Sequence, residues 1–333
     1  MKRRLWCFLL FLLVISCVVY GRGEKLVVYT YSSFPAPLMD EIRKVLREQH
    51  NLTVDFKSFS DTGPLFNQLI QEKGKPYADV VIGLDNNYYP RAVQEDLFQA
   101  YIPRGAQLIR KDLIFDPEFR LTPFDFGYVL FNYDSAKLEQ VPRTHQELTD
   151  PAYKGKIIIT NPMTSSPGQV FLLTTIALFG EDGYLDYWRK LKDNILAITP
   201  GWDEAYGMYT MGEAPIVLSY GASPVFHLLY ENTEQYKALV LDNSAYAQIE
   251  GVGIVKGARN LAGAKKLLDY LLSAEFQALI PENQFMMPVR TDVKLPESFR
   301  VAAQVDHLLN LPPERVEANL ERWLAAWEEM INE

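Results

Sequence analysis

Cysteine occurs only twice in the 333 residues, at Cys7 and Cys17, and both positions fall in the first seventeen. That scarcity excludes a disulfide framework for the rest of the chain, which must hold itself together through its core. Histidine is nearly as rare. His50, His145, His227 and His307 are scattered without metal-ligand spacing, and each reads as a surface residue or a satisfied core residue. A Gly-x-Ser-x-Gly elbow, a phosphate-binding Walker loop and a His-Glu-x-x-His helix are all missing. With no catalytic machinery of a known kind, the chain is expected not to be an enzyme. After the first residues no apolar run approaches the roughly 20 residues of a membrane span, and there is no internal repeat or low-complexity linker.

What the chain does have begins at its start. Lys2, Arg3 and Arg4 precede an apolar run over residues 5–16, the pattern of a secretory signal peptide. The run ends Val14-Ile15-Ser16-Cys17, which resembles the lipobox of bacterial lipoproteins. The expectation is a signal peptide over 1–16, with Cys17 as the lipid-bearing first mature residue. The protein would then sit in the periplasm or on the outer face of the cytoplasmic membrane, anchored through Cys17. The alternative is ordinary cleavage after Gly21 or Gly23, with Cys17 discarded.

The formal net charge is −9, and without the three leader cations the remaining 30 basic against 42 acidic side chains leave about −12. Such a surface excludes nucleic acid as a natural partner and favours a cationic ligand by long-range attraction. At 38.1 kDa and 48% hydrophobic residues there is chain enough for about two domains.

Strand and helix patterns alternate along the mature chain. Residues 25–31 read as a buried strand, and Leu38, Met39, Ile42, Val45 and Leu46 follow at helical spacing. A strand is expected at 54–57, a helix at 64–72 with Pro64 in its first turn, and a buried strand at 78–84. A second series offers strands at 128–133, 156–160, 215–220 and 247–255. Helices are expected at 170–179, 260–272 and 313–331. The last carries Val316, Leu320, Trp323, Leu324 and Trp327 on one face, the stripe of a buried surface. Gly251-Val252-Gly253 lies in an expected strand and reads as close backbone approach.

The alternation implies an open α/β sheet, whose ligands bind beyond the carboxyl ends of the strands. Two lobes without a flexible connector imply short crossing strands and a hinge. The loops at the strand ends pool flat rings with small polar groups. Tyr31, Trp202, Tyr206 and Tyr220 offer faces to a ring or an organic cation. Asp61, Thr62, Ser165 and Ser166 offer polar contacts at two helix starts. There the residues either cap the helix or expose N–H groups to a hydroxyl or phosphate.

Several strings carry a resemblance to a family. They are Val28-Tyr29-Thr30-Tyr31, the run from Ala78 through Asp85-Asn86-Asn87, and Pro123-Phe124-Asp125-Phe126-Gly127-Tyr128. Gly201-Trp202-Asp203-Glu204-Ala205-Tyr206-Gly207 and Leu218-Ser219-Tyr220 with Ser223-Pro224 complete the set. Together they resemble the thiamine-binding proteins of bacterial thiamine transporters, within the group that also holds ferric-ion and polyamine receptors. The resemblance implies the two-lobed periplasmic binding protein fold of type II, with discontinuous sheet order and the ligand in the interlobe cleft. One α/β lobe would comprise 25–122 and 245–290, the other 123–244 and 291–333.

It also implies ligand contacts at Tyr31, Asp61, Thr62, Ser165, Ser166, Trp202, Tyr220, Phe226 and Phe285, with Asp61 and the rings facing a thiazolium cation. Phe226 stands where tyrosine is usual and Phe285 where tryptophan is usual. The implied ligand is thiamine or a thiamine phosphate, and the implied partner is an ABC permease with a cytoplasmic ATPase. The protein would act as a monomer without a cofactor. A ferric-ion receptor of the same fold resembles a pair of adjacent tyrosines, whereas Tyr220 is followed here by Gly221. Secreted thiaminases share the fold but use a cysteine nucleophile, and no cysteine follows Cys17.

Overall fold

A computed structural model describes residues 24–333. The expected signal peptide and Cys17 lie outside the described residues. The first half runs β1 (Glu24–Tyr31), α1 (Ala36–His50), β2 (Leu52–Phe59), α2 (Thr62–Gln71), β3 (Val80–Asp85), α3 (Tyr89–Gln94) and β4 (Phe98–Gln99). Then come β5 (Thr122–Asp134), β6 (Ile157–Thr160), α4 (Ser166–Leu191), β7 (Ile195–Thr199), α5 (Trp202–Thr210), β8 (Ile216–Tyr220), α6 (Pro224–Glu231) and β9 (Tyr236–Leu239). The chain closes with β10 (Ser244–Val255), α7 (Leu261–Leu271), α8 (Ala274–Gln277), α9 (Ile280–Asn283), β11 (Met287–Pro288), β12 (His307–Leu309) and α10 (Pro313–Asn332).

The hydrogen-bonded strand path is β2-β1-β3-β10-β5-β8-β6-β7. On one side β1 pairs in parallel with β2 and β3, and on the other β6 pairs in parallel with β7 and β8. The two outer groups thus share one strand order, each closing on a central antiparallel pair, β10 with β5. This is the discontinuous order expected. The carboxyl ends of the parallel strands on both sides point toward the central pair's midpoint, where Tyr31, Asp85, Thr199 and Tyr220 end their strands.

The crossing strands are long, not short. β5 continues for 13 residues and β10 for 12. Phe124 packs in one core, with Leu26, Val28 and Val252, while Val129 and Phe131 of the same strand pack in another, with Trp188 and Tyr246. Positions 122/123 and 244/245, expected as lobe boundaries, fall inside these strands. Their near-continuous apolar character lets one strand serve two cores, so the sequence shows no break where the chain changes sides.

Trp323 and Trp327 are fully buried in the second core, as the stripe on α10 predicts. The paired glycines in β10 are close approaches: a Cβ on Gly251 would lie 2.9 Å from the Leu84 carbonyl oxygen, and one on Gly253 2.7 Å from Leu121. α4 is interrupted at Gly180, whose φ of 73° is outside helical geometry.

Candidate functional site

A cavity of about 520 Å³ opens between the two halves at the strand ends. Tyr31, Asp61, Thr62, Ser166, Trp202, Tyr206, Tyr220, Phe226 and Phe285 all reach its wall. These side chains come from residues as far apart as 31 and 285; most end a strand or stand in the first turn of a helix, while Tyr206 lies within α5 and Phe285 between α9 and β11. Ser165 is the exception. It occupies the N-cap position of α4 and is fully buried, off the wall.

Asp61 shows why the helix starts are polar. Its Oδ1 accepts from the backbone N–H of Thr62 at 2.7 Å and of Ser166 at 3.3 Å, and its Oδ2 accepts from that of Trp202 at 3.2 Å. One buried carboxylate thereby caps α2, α4 and α5, and the latter two belong to the opposite half of the fold. Helix N-termini attract negative charge, so the arrangement is favourable at each end. Burial pushes the Asp61 carboxyl up, and the donors around it pull the other way. At these N–H groups the structure shows capping by Asp61. Further contacts join the halves nearby: Ser32 Oγ donates to Asp203 at 2.5 Å, the Gly63 N–H to the Thr164 carbonyl at 3.2 Å, and Ser166 Oγ to Asp85.

The aromatic wall is built in layers. Trp202 stacks on Tyr206 with ring centroids 4.8 Å apart and planes 18° from parallel, and its Nε1 donates to Ser219 Oγ at 2.9 Å. Behind it, Tyr206 Oη lies 2.8 Å from His227 Nε2, and His227 Nδ1 lies 2.7 Å from Glu231. His227 is therefore a satisfied core residue, as its isolation in the sequence suggests. Across the cavity Phe226 and Phe285 meet edge to face at 5.6 Å. Phe285 adopts φ 57°, a left-handed conformation that turns the chain between α9 and β11. Tyr31 is held by the backbone under it, because Gly83, at φ +97°, leaves the space its ring fills.

The sequence did not single out Glu250 on the cavity wall. Glu250 of β10 reaches the wall and accepts from Tyr31 Oη at 2.7 Å, while Tyr220 Oη donates to Gln248 at 3.2 Å. Gln284 donates to Tyr31 Oη in turn. Burial raises the Glu250 carboxyl to about 8 and the Asp85 carboxyl to about 7, with neighbouring acids adding to both. Asp125 is likewise pushed well up by burial and by Glu250. The signal available was an acid inside an apolar strand, Glu250 in residues 244–255 and Asp125 in 122–134. Such a residue is costly to bury and so marks a site. No Lys or Arg is among the described residues lining the cavity. Nor do the described residues contain a group of three or more His, Cys, Asp or Glu side chains placed to hold a metal ion.

Two α/β halves joined by paired crossing strands, with a ligand-sized cleft at the strand ends, define a solute receptor. A family model described as bacterial extracellular solute-binding protein matches residues 75–306. Thiamine-binding periplasmic proteins are similar over most of their length. That of Brucella abortus is 36% identical, with 91% of each chain covered, and that of Escherichia coli 31% identical, with 96% of this chain and 97% of the relative covered. Among solved structures, a periplasmic thiamin binding protein superposes with a TM-score of 0.86 at 31% identity, covering 93% of this chain and 98% of its own. A ferric binding protein from Campylobacter jejuni shares the fold at a TM-score of 0.77 and 17% identity, over 92% of this chain and 99% of its own. The chain belongs to the bacterial extracellular solute-binding proteins, alongside the thiamine-binding periplasmic proteins it matches over most of its length.

Proposed function

We propose that this protein is the periplasmic solute-binding component of an ABC importer and that its ligand is thiamine. The observation that carries this reading is the cavity wall itself, where the rings of Trp202, Tyr220, Phe226 and Phe285 stand beside Asp61, Asp203, Glu231 and Glu250 with no basic side chain among them. A permanently cationic thiazolium is stabilised by aromatic faces and by surrounding carboxylates. An aminopyrimidine can stack on the rings and bond to polar groups such as Gln248 and Gln284. The volume suits a molecule of this size. Phosphate esters gain no counter-ion from the wall, so free thiamine binds at least as tightly as its phosphates.

Capture rests on the ten sequence-derived positions except Ser165, which acts from behind the wall. The halves close over the ligand about β5 and β10, and the closed form docks on a membrane permease with its ATPase. Cys17 carries a lipid that keeps the monomeric protein at the membrane. Capture and delivery require no chemistry on the ligand.

Isothermal titration with thiamine, thiamine monophosphate and thiamine diphosphate tests the ligand. Tight binding of thiamine is expected, and absence of heat with all of them overturns the reading. A ferric-ion titration is expected to give no saturable binding. Mass spectrometry of the mature N-terminus checks lipidation at Cys17.

A further inference from the structure

Asp125 and Glu250 face each other across the two crossing strands, as directly paired residues of β5 and β10, at the point where the register shifts after Glu250. Asp125 is fully buried and Glu250 nearly so. Glu250 has partners, accepting from Tyr31 Oη at 2.7 Å and from Gln248 Nε2 at 3.5 Å. Neither carboxylate oxygen of Asp125 has a hydrogen-bond partner among the surrounding groups. Glu250 reaches the cavity wall and Asp125 does not. The charged and titratable groups that face the pair are Tyr31 from β1, Asp85 at the end of β3, Asp61 at the start of α2 and Tyr220 from β8. None is a cation.

Two adjacent buried carboxyls with no counter-charge cannot both be ionised. A proton shared between them neutralises one and gives the partnerless Asp125 a donor or an acceptor. We propose that the Asp125–Glu250 pair is a proton-binding site that exchanges its proton for the cationic ligand. Entry of a cation against Glu250 supplies the missing positive charge, and the proton leaves the pair for bulk buffer, so one charge replaces another on the cavity floor. Burial and the neighbouring acids push both carboxyls up, so a proton held on the pair at neutral pH is there to be exchanged. This inference rests on the thiamine reading for the identity of the cation, but the bound proton itself does not.

Two measurements separate those claims. The first needs no ligand: infrared difference spectroscopy of the free protein is expected to show protonated-carboxyl absorption at pH above the ordinary carboxylate range that is diminished in Asp125→Asn and in Glu250→Gln, the remainder belonging to Asp85. A spectrum without such a band overturns the proposal, and so does a band unchanged in both variants. The second is calorimetry with thiamine at pH 7.5 in buffers of different ionisation enthalpy. Wild type is expected to release up to one proton more than Glu250→Gln, which has no carboxyl at the cavity wall to give up a proton. Its affinity should fall by up to about tenfold per pH unit on acidification toward pH 6, more steeply than that of the variant. Equal proton release by the two proteins overturns the exchange. If thiamine fails to bind while the carboxyl band is present, the proton site stands and the ligand assignment falls.

Discussion

The carboxylate of Asp61 accepts a hydrogen bond at 3.2 Å from the backbone N–H of Trp202, a residue 141 positions further along the chain and on the opposite wall of the cleft. Because the same carboxylate caps α2 and α4, one side chain closes three helix ends and joins the two halves. Its charge faces backbone N–H groups of both halves.

Replacing Asp61 with alanine should therefore loosen closure as well as binding. Loss of an N-cap costs about 0.5–2 kcal/mol at one helix, and here the loss falls on three. Denaturant unfolding should show destabilisation at least that large. Small-angle scattering with saturating thiamine should show a larger radius for Asp61→Ala than for wild type. An unchanged radius would reduce Asp61 to a simple ligand contact.

Gly83 supports Tyr31 from below. A Cβ there would stand 2.1 Å from Tyr31 Cε1, and the backbone is at φ +97°. Gly83→Ala should destabilise the protein by more than about 1 kcal/mol and weaken thiamine binding, because the Tyr31 ring must move. Thermal unfolding and calorimetry measure the two effects; in Gly74→Ser, where added atoms meet open space at φ +84°, only the backbone cost should appear and thiamine binding should be unchanged.

The edge-to-face contact of Phe226 with Phe285 keeps ring area at these two positions of the cavity wall. A double-mutant cycle to leucine should give a coupling of about 0.5–1.5 kcal/mol. Phe285→Trp should preserve thiamine binding, since the larger ring faces the same cavity. A loss above tenfold in affinity would show that the cavity has no room for the larger ring.

Trp202 presents one face to Tyr206 and lies on the cavity wall. Trp202→Ala should weaken binding of thiamine by about 0.5–2 kcal/mol, read by calorimetry at constant pH.

The buried acids make stability depend on pH in a defined direction. Asp85 and Glu250 hold their protons in the folded protein to about pH 7 and about pH 8, whereas the unfolded chain releases them near pH 4. Between those limits the folded state binds more protons than the unfolded state, so stability falls as pH rises. The ligand-free protein should melt at a higher temperature at pH 5 than at pH 8. Glu250→Gln should flatten that difference, and a melting temperature that rises with pH over this window would contradict the assignment.

Much of this was legible in the residues. The strands opening each half, the stripe on α10 and the aromatic and hydroxyl strand-end loops follow from local period and from turn chemistry. Nine of the ten expected contact positions consequently line one cavity. Ser165 differs because a hydroxyl at a helix start can point to either side, and only packing assigns Ser165 to the interior and Ser166 to the wall.

The sequence by itself determined the alternating architecture, the absence of cysteine after Cys17 and the ring-rich, acid-leaning chemistry of the loops, because these depend on residue type and short-range spacing. Tertiary structure alone decided that β5 and β10 each run through both halves, that Asp61 caps helices begun more than a hundred residues away, and that Asp125 faces Glu250. Those relationships depend on strand register and on how two halves meet. Neither is encoded in any local window of the chain.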